Sequence, residues 1–283
     1  MVFGIIVNSG RFTVFIDHFI QSLKQFIMTG KVYIVTGSTG IAADTILLLL
    51  KEGNHVFYVD KNVFHCEQLL EVINYMGYDA DYMVGNLSNE RFIKELVTSC
   101  VNIHGRIDGL FNVAESNAEK FGDGPLHQCT LTGWQSTLRN NLTVQSQICK
   151  SVINVMMDQE PDEDGIRGAI VNMNNVFAFS AEPDHLNSIA YATSRGSIIS
   201  MTKTEAAYYA KNNIRINTIT PGIAIKGMDT EIAENDSLIE FFKEKQALVC
   251  SFLSDTNVAE EALFLLGNQS LKVSRQTLVL EAV

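Results

Sequence analysis

From Lys31 onward, seven short runs rich in β-branched and aromatic residues alternate with longer stretches of helical period. No other feature narrows the possible folds as much. The runs are KVYIVT (31–36), HVFYVD (55–60), DADYMV (79–84), IDGLFNV (107–113), GAIVNMN (168–174), IRINTIT (214–220) and QTLVLE (276–281). Helical periods fall at 41–52, 64–76, 89–103, 131–158, 190–212, a pair within 235–250, and 257–267. Such alternation implies a parallel sheet covered on both faces, because each crossover carries a helix over the sheet and returns right-handed. The expected fold class is α/β: one doubly wound domain with a seven-stranded parallel sheet, winding outward in both directions from the strand at 31–36.

At 283 residues the chain is long enough to bury a sizeable core as one unit. Its formal charge of −11, with no basic block, disfavours nucleic acid or an anionic membrane as partner. A small-molecule substrate or another protein remains. The five cysteines are scattered and never at C-x-x-C spacing, so they are read as buried thiols of a reducing, cytoplasmic protein. The six histidines show no metal-binding spacing, and no metal site is expected. Residues 1–28 stand apart: two short strands about Asn8-Ser9-Gly10 and an amphipathic helix bearing Phe19, Ile20, Leu23, Phe26 and Ile27. That extension either docks its apolar stripe on the domain or a neighbour, or the functional chain starts near Met28. The main domain spans 29–283.

A doubly wound sheet binds its ligand beyond the carboxyl ends of its strands, which directs attention to VTGSTGIAAD (35–44). Glycines there let backbone approach a pyrophosphate, and the following helix offers its N-terminal amides. Gly37, Ser38, Thr39, Gly40 and Ile41 are the candidate cradle. Asp60 follows Gly37 by 23 residues, near the spacing at which a carboxylate bonds a ribose 2′-hydroxyl and repels a 2′-phosphate. NAD is therefore expected over NADP.

These landmarks, with others downstream, resemble the short-chain dehydrogenase/reductase family from Thr29 to Val283, which implies a Rossmann-type domain. TGSTGIA (36–42) corresponds to the family's TGxxxGxG, one residue short and with Ala42 at the last glycine. NVA (112–114) is similar to its NNAG, with Glu115 at the glycine. WQSTLRNNL (134–142), Tyr191 of the YxxxK motif, and RINTITPG (215–222) complete the series. By resemblance, Asn86, Leu87, Asn112, Ala114, Pro221 and Gly222 join the cofactor-binding set. Lys226, where the family has a threonine, is either a phosphate contact or an ordinary loop lysine.

The resemblance implies proton exchange with a substrate oxygen by Tyr191 while NAD(H) carries hydride. Arg195 stands where the family has lysine. At i and i+4 the two residues share a helical face, so a permanent cation can still favour phenolate, although arginine is a poor proton relay. Asn141 matches the helix asparagine that holds a relay water, with Asn140 an alternative register. Asn175 replaces the serine that orients the substrate, and Ser180 and Ser188 are fallback candidates. Three functions follow: an NAD-dependent oxidoreductase acting on an alcohol or carbonyl, a catalytically silent partner subunit, and a lyase resembling halohydrin dehalogenases. The family also implies a homodimer or homotetramer through the helices at 131–158 and 190–212. The segment 226–252 is expected to lid the cleft.

Overall fold

All five side chains of β1 (Val32–Thr36) are buried, as befits a strand covered on both faces. In the computed structural model, which describes residues 30–113, 123–179, 188–222 and 253–280, this strand lies inside a seven-stranded parallel sheet. The elements follow as α1 (Ile41–Lys51), β2 (His55–Asp60), α2 (Val63–Tyr75), β3 (Asp81–Val84), α3 (Glu90–His104), β4 (Gly109–Asn112), α4 (Leu131–Leu138), α5 (Val144–Asp158), β5 (Gly168–Met173), α6 (Ile189–Tyr209), β6 (Ile214–Pro221), α7 (Asp255–Leu266) and β7 (Thr277–Leu280). The strand order is β3-β2-β1-β4-β5-β6-β7, so winding reverses between β1 and β4, as the alternation implied. The expected extension at 1–28 and helix pair at 235–250 lie outside the described residues.

Alternate side chains of each strand feed two cores. On one face Ile34, Phe57 and Ile216 pack with Leu96 of α3, Ile148 and Val152 of α5, and Ala206 of α6. On the other, Val35, Tyr58 and Phe111 pack with Ile46 and Leu49 of α1, Leu69 of α2, and Val258 and Leu265 of α7. Side chains cap several helix starts: Asn62 accepts from Phe64 N, Asn89 from Arg91 N, and Ser254 forms a capping box with Asn257.

Two expected elements differ in detail. The stretch 131–158 is not one helix, because a π-helical turn at Arg139–Thr143 separates α4 from α5. An i→i+5 turn accommodates one extra residue, and here it rotates Asn140 and Asn141 to different neighbours. The run at 107–113 joins the sheet only at Gly109–Asn112, since the Ile107 N–H donates to the Gln159 side chain, 3.1 Å.

Arg215, the second residue of β6, ties the amino end of that strand to the end of α7. Only 4% exposed, its guanidinium donates to the carbonyls of Leu265 (2.7 Å), Leu266 (3.1 Å) and Gly267 (3.0 Å) and to the Ser270 hydroxyl (2.9 Å). A cation at the C-terminal carbonyls of α7 is favourable, and no lysine could reach all four acceptors from one planar fork. Arg215→Lys is therefore expected to cost about 2–4 kcal/mol, lowering Tm by roughly 5–15 °C. Thermal unfolding checks this, and an unchanged Tm would show that the fork is dispensable.

Candidate active site

The reversal between β1 and β4 leaves a crevice at their carboxyl ends, and the glycine turn borders it. Gly37 (φ 114°) and Gly40 (φ 57°) adopt backbone conformations that side chains disfavour, so this turn needs glycine at both places. A Cβ on Gly37 would stand 3.1 Å from that of Ala42, so Ala42 fills the space beneath the turn. Gly40 is the N-cap of α1 and no side chain caps it, which leaves the helix start open for an anion. The buried Ser38 donates its hydroxyl to Asp60 Oδ2 (2.9 Å), while Asp60 Oδ1 accepts from Asn62 N (2.9 Å). These bonds hold a carboxylate at the end of β2. Thr39 is exposed and Ile41 half-buried.

The fit to a dinucleotide is good on these points: a strained glycine cradle, an uncapped helix start, and a fixed carboxylate 20-odd residues on. One group opposes it. The buried carboxyl of Asp255 reaches within 3.5 Å of where a Gly40 Cβ would stand, bringing a potential anion to the end meant for pyrophosphate.

At the opposite side of the crevice, Tyr191 and Arg195 sit in the first two turns of α6. The guanidinium carbon of Arg195 lies 4.7 Å from the centre of the Tyr191 ring. Arg195 is 0% exposed, and its Nη2 donates to Asn141 Oδ1 (2.7 Å). Asn141 Nδ2 in turn donates to Thr137 O (3.1 Å). Asn140 instead accepts from the Ser88 hydroxyl (3.0 Å), so Asn141 is the asparagine that faces the Tyr–Arg pair. Asn175 follows β5, half-buried, and its carbonyl accepts from Ala178 N. A cation held over the face of a phenol favours the phenolate electrostatically without receiving its proton.

The remaining candidates take varied positions. The Asn112 amide points away from the crevice into the core: Nδ2 donates to Gln145 O (3.1 Å) and Asn172 Oδ1 (3.3 Å). Asn112 therefore ties β4 to α5 and β5, and only its backbone faces the crevice end. Asn86 is exposed and accepts from Ser88 N (2.9 Å), while Leu87 packs into the core. Pro221 ends β6, and Gly222 N donates to Leu280 O (2.8 Å). Ser188 precedes α6 without capping it by its side chain. Ala114, Glu115, Ser180, Lys226 and the expected lid 226–252 lie outside the described residues. Among the described residues, no group of three or more His, Cys, Asp or Glu could hold a metal. No helix there is long and apolar enough to cross a membrane. Cys66, Cys100 and Cys149 are buried thiols as expected, whereas Cys129 is only half-buried.

A buried polar column was not foreseen. From Asn112 it passes through Asn172, whose Nδ2 donates to Thr202 Oγ1 of α6 (2.9 Å) and whose Oδ1 accepts from the Cys149 thiol (3.3 Å). Burial first, and then the Glu205 carboxyl, push the Cys149 thiol well up, so it stays a neutral donor. Glu205 lies three residues beyond Thr202, and its buried Oε2 has no hydrogen-bond partner among the described residues. Burial pushes its carboxyl up to about 7. Asp123 was missed as well: its carboxylate accepts from Ala190 N (3.1 Å) and Tyr191 N (3.0 Å).

Residues 35–282 match the family model described as "Enoyl-(Acyl carrier protein) reductase". The chain is 29% identical over 258 residues to the 3-oxoacyl-(acyl-carrier-protein) reductase FabG of Chlamydia pneumoniae, covering 91% of this chain and 95% of that one. It is 27% identical over 245 residues to the 2,5-dichloro-2,5-cyclohexadiene-1,4-diol dehydrogenase of Sphingobium indicum, covering 87% and 90%. A solved structure of a short-chain type dehydrogenase/reductase from Mycobacterium ulcerans shares the fold at a TM-score of 0.79 and 20% identity, over 88% of this chain and 87% of that one.

The half-buried Glu205 makes stability pH-dependent with a definite sign. Its folded pKa, about 7, is above its ordinary 4.5, so between those values the folded protein keeps a proton that the unfolded chain has lost. Stability from this group is complete below pH ~4.5 and is lost as pH rises to ~7. Subtracting the Tm–pH profile of Glu205→Gln from that of the wild type should reveal that decline. A difference that stays flat from pH 4.5 to 8 would contradict it.

Proposed function

The chain belongs to the short-chain dehydrogenase/reductase family, and on that premise we propose that it is an NAD-dependent oxidoreductase of a secondary alcohol or its ketone, with Tyr191 as acid and base. The observation that carries the reading is the packing of the Tyr191 ring against a fully buried Arg195, itself fixed by Asn141. Two relatives support the substrate class: one is named for a 3-oxoacyl group and the other for a cyclic diol, and both names describe a ketone or a secondary alcohol.

Asp60, Gly37, Ser38, Thr39, Gly40 and Ile41 would hold the adenosine and diphosphate, with Asn86, Leu87, Asn112, Ala114, Pro221, Gly222 and Lys226 as the rest of the proposed contact set. A bound nicotinamide would supply or accept hydride at the substrate carbon. The Tyr191 hydroxyl would donate its proton to the carbonyl oxygen in reduction and be left as phenolate, and in oxidation that phenolate would take the proton of the alcohol. Arg195 would offset the resulting phenolate charge from the ring face. Asn141 keeps the guanidinium in place. Asn175 would donate a hydrogen bond to the substrate oxygen, in the place where the family uses serine. Asp60 would accept from the ribose 2′-hydroxyl and repel a 2′-phosphate, which favours NAD.

One observation favours a second reading, a nucleotide-free partner subunit: the Asp255 carboxyl beside Gly40. Fluorescence titration with NADH separates the two. The oxidoreductase reading expects saturable NADH binding, at least ~10-fold tighter than NADPH, and turnover of an acetoacetyl thioester that Tyr191→Phe lowers by ~10²-fold or more with NADH affinity unchanged. Absence of NADH binding would leave the partner-subunit reading in possession.

The chain is also proposed to pair with copies of itself through the outer faces of α4, α5 and α6. Leu131, Met157 and Tyr208 are exposed apolar side chains on these helices. Sedimentation at micromolar concentration is expected to show a dimer or tetramer, and a lone monomer would remove this proposal.

A further inference from the structure

We propose that Asp123 is a positioning residue for Tyr191, a clamp supplied from far along the chain to the start of the helix that carries the phenol. The inference rests on the reading of Tyr191 as acid and base. A helix start leaves its first amides without intrahelical partners, and that turn is where a helix frays. Tyr191 is the third residue of α6, and Ser188 beside it makes no side-chain cap. The amides are satisfied from elsewhere. Ile189 N donates to Gly124 O (3.2 Å), Ala190 N to Asp123 Oδ1 (3.1 Å) and Tyr191 N to Asp123 Oδ2 (3.0 Å). Each carboxylate oxygen therefore takes one successive amide, which fixes both the rotation and the axial position of the first turn.

The clamp is itself held. Asp123 Oδ1 accepts from Gly124 N (2.8 Å) and from the Cys129 thiol (3.5 Å). One residue beyond that cysteine, Thr130 caps α4 by accepting from Gly133 N (2.9 Å). Asp123 thus couples the start of α4 to the start of α6, while Asn141, just past α4, holds Arg195 one turn above Tyr191. The two ends of the Tyr–Arg pair are fixed by opposite ends of the same helical segment. A negative charge at the start of α6 also suits its dipole, so the carboxylate is favoured over a neutral cap.

The test compares Asp123→Ala, Asp123→Asn, Tyr191→Phe and Asn89→Ala, the last removing an ordinary cap from α3, in the full chain with NADH and an acetoacetyl thioester. Asp123→Ala is expected to lower kcat between ~10- and ~100-fold, with KM for NADH within about twofold of wild type. Amide hydrogen exchange at Ala190 and Tyr191 should quicken at least ~10-fold while the sheet stays protected. Asp123→Asn, which keeps one acceptor oxygen, should recover part of the kcat loss, and Asn89→Ala should leave kcat alone. The clamp is overturned if Asp123→Ala loses no more kcat than Asn89→Ala, if exchange at Ala190 and Tyr191 is unchanged, or if NADH affinity and sheet protection fall together with kcat. Full turnover in Tyr191→Phe would instead overturn the acid–base reading, whereas its loss beside a normal Asp123→Ala overturns the clamp alone.

Discussion

A guanidinium removed wholly from water has to be held by its neighbours, and Arg195 imposes that demand on the crevice. Part of the charge is met by the Tyr191 ring and part by Asn141 Oδ1. To bring Asn141 to that point the helix after Trp134 takes a π turn, which sends its neighbour Asn140 outward to Ser88. The arrangement works only if α6 begins at a fixed place, and Asp123 sets it. Local irregularity in one helix and an external cap on another thus follow from one buried cation.

Beneath that pair the sheet is braced by polar groups where hydrocarbon would be the simpler choice. Thr36, Asn112 and Asn172 sit at 0% exposure on three adjacent strands, bonded to one another and onward to Thr202. Buried amides are costly unless paired, and their mutual bonds fix the relative height of β1, β4, β5 and α6. The carboxyl ends that border the crevice are thereby held level. Glu205, at the far end of the column, has an Oε2 that no hydrogen bond meets among the described residues.

Much of this was legible beforehand, for identifiable reasons. Val32 to Thr36 are buried on both faces, as a nearly continuous apolar run announces, whereas Ile214 to Pro221 are equally buried although Arg215, Asn217, Thr218 and Thr220 interrupt the apolar residues. Gly37 and Gly40 do stand in the turn after β1 where the glycine pair was read, and both adopt positive φ. Tyr191 and Arg195 share a face because four residues make about one turn. The π turn escaped because one added residue barely disturbs a hydrophobic period. Asp123 escaped because its partners lie 67 and 68 residues away, and no local pattern encodes a tie of that length. The inward turn of Asn112 was hidden for another reason: strand alternation places a side chain on a face but does not say that the face beneath is polar.

A crystal structure of the NADH complex tests the central claim most directly. The account predicts a dinucleotide across the ends of β1 and β4, its ribose on Asp60, its diphosphate at the start of α1, and its nicotinamide beside the Tyr191 hydroxyl with Arg195 still over the ring. Crystals grown at saturating NADH whose crevice holds no nucleotide, with the Asp255 carboxyl filling the diphosphate position, would contradict it.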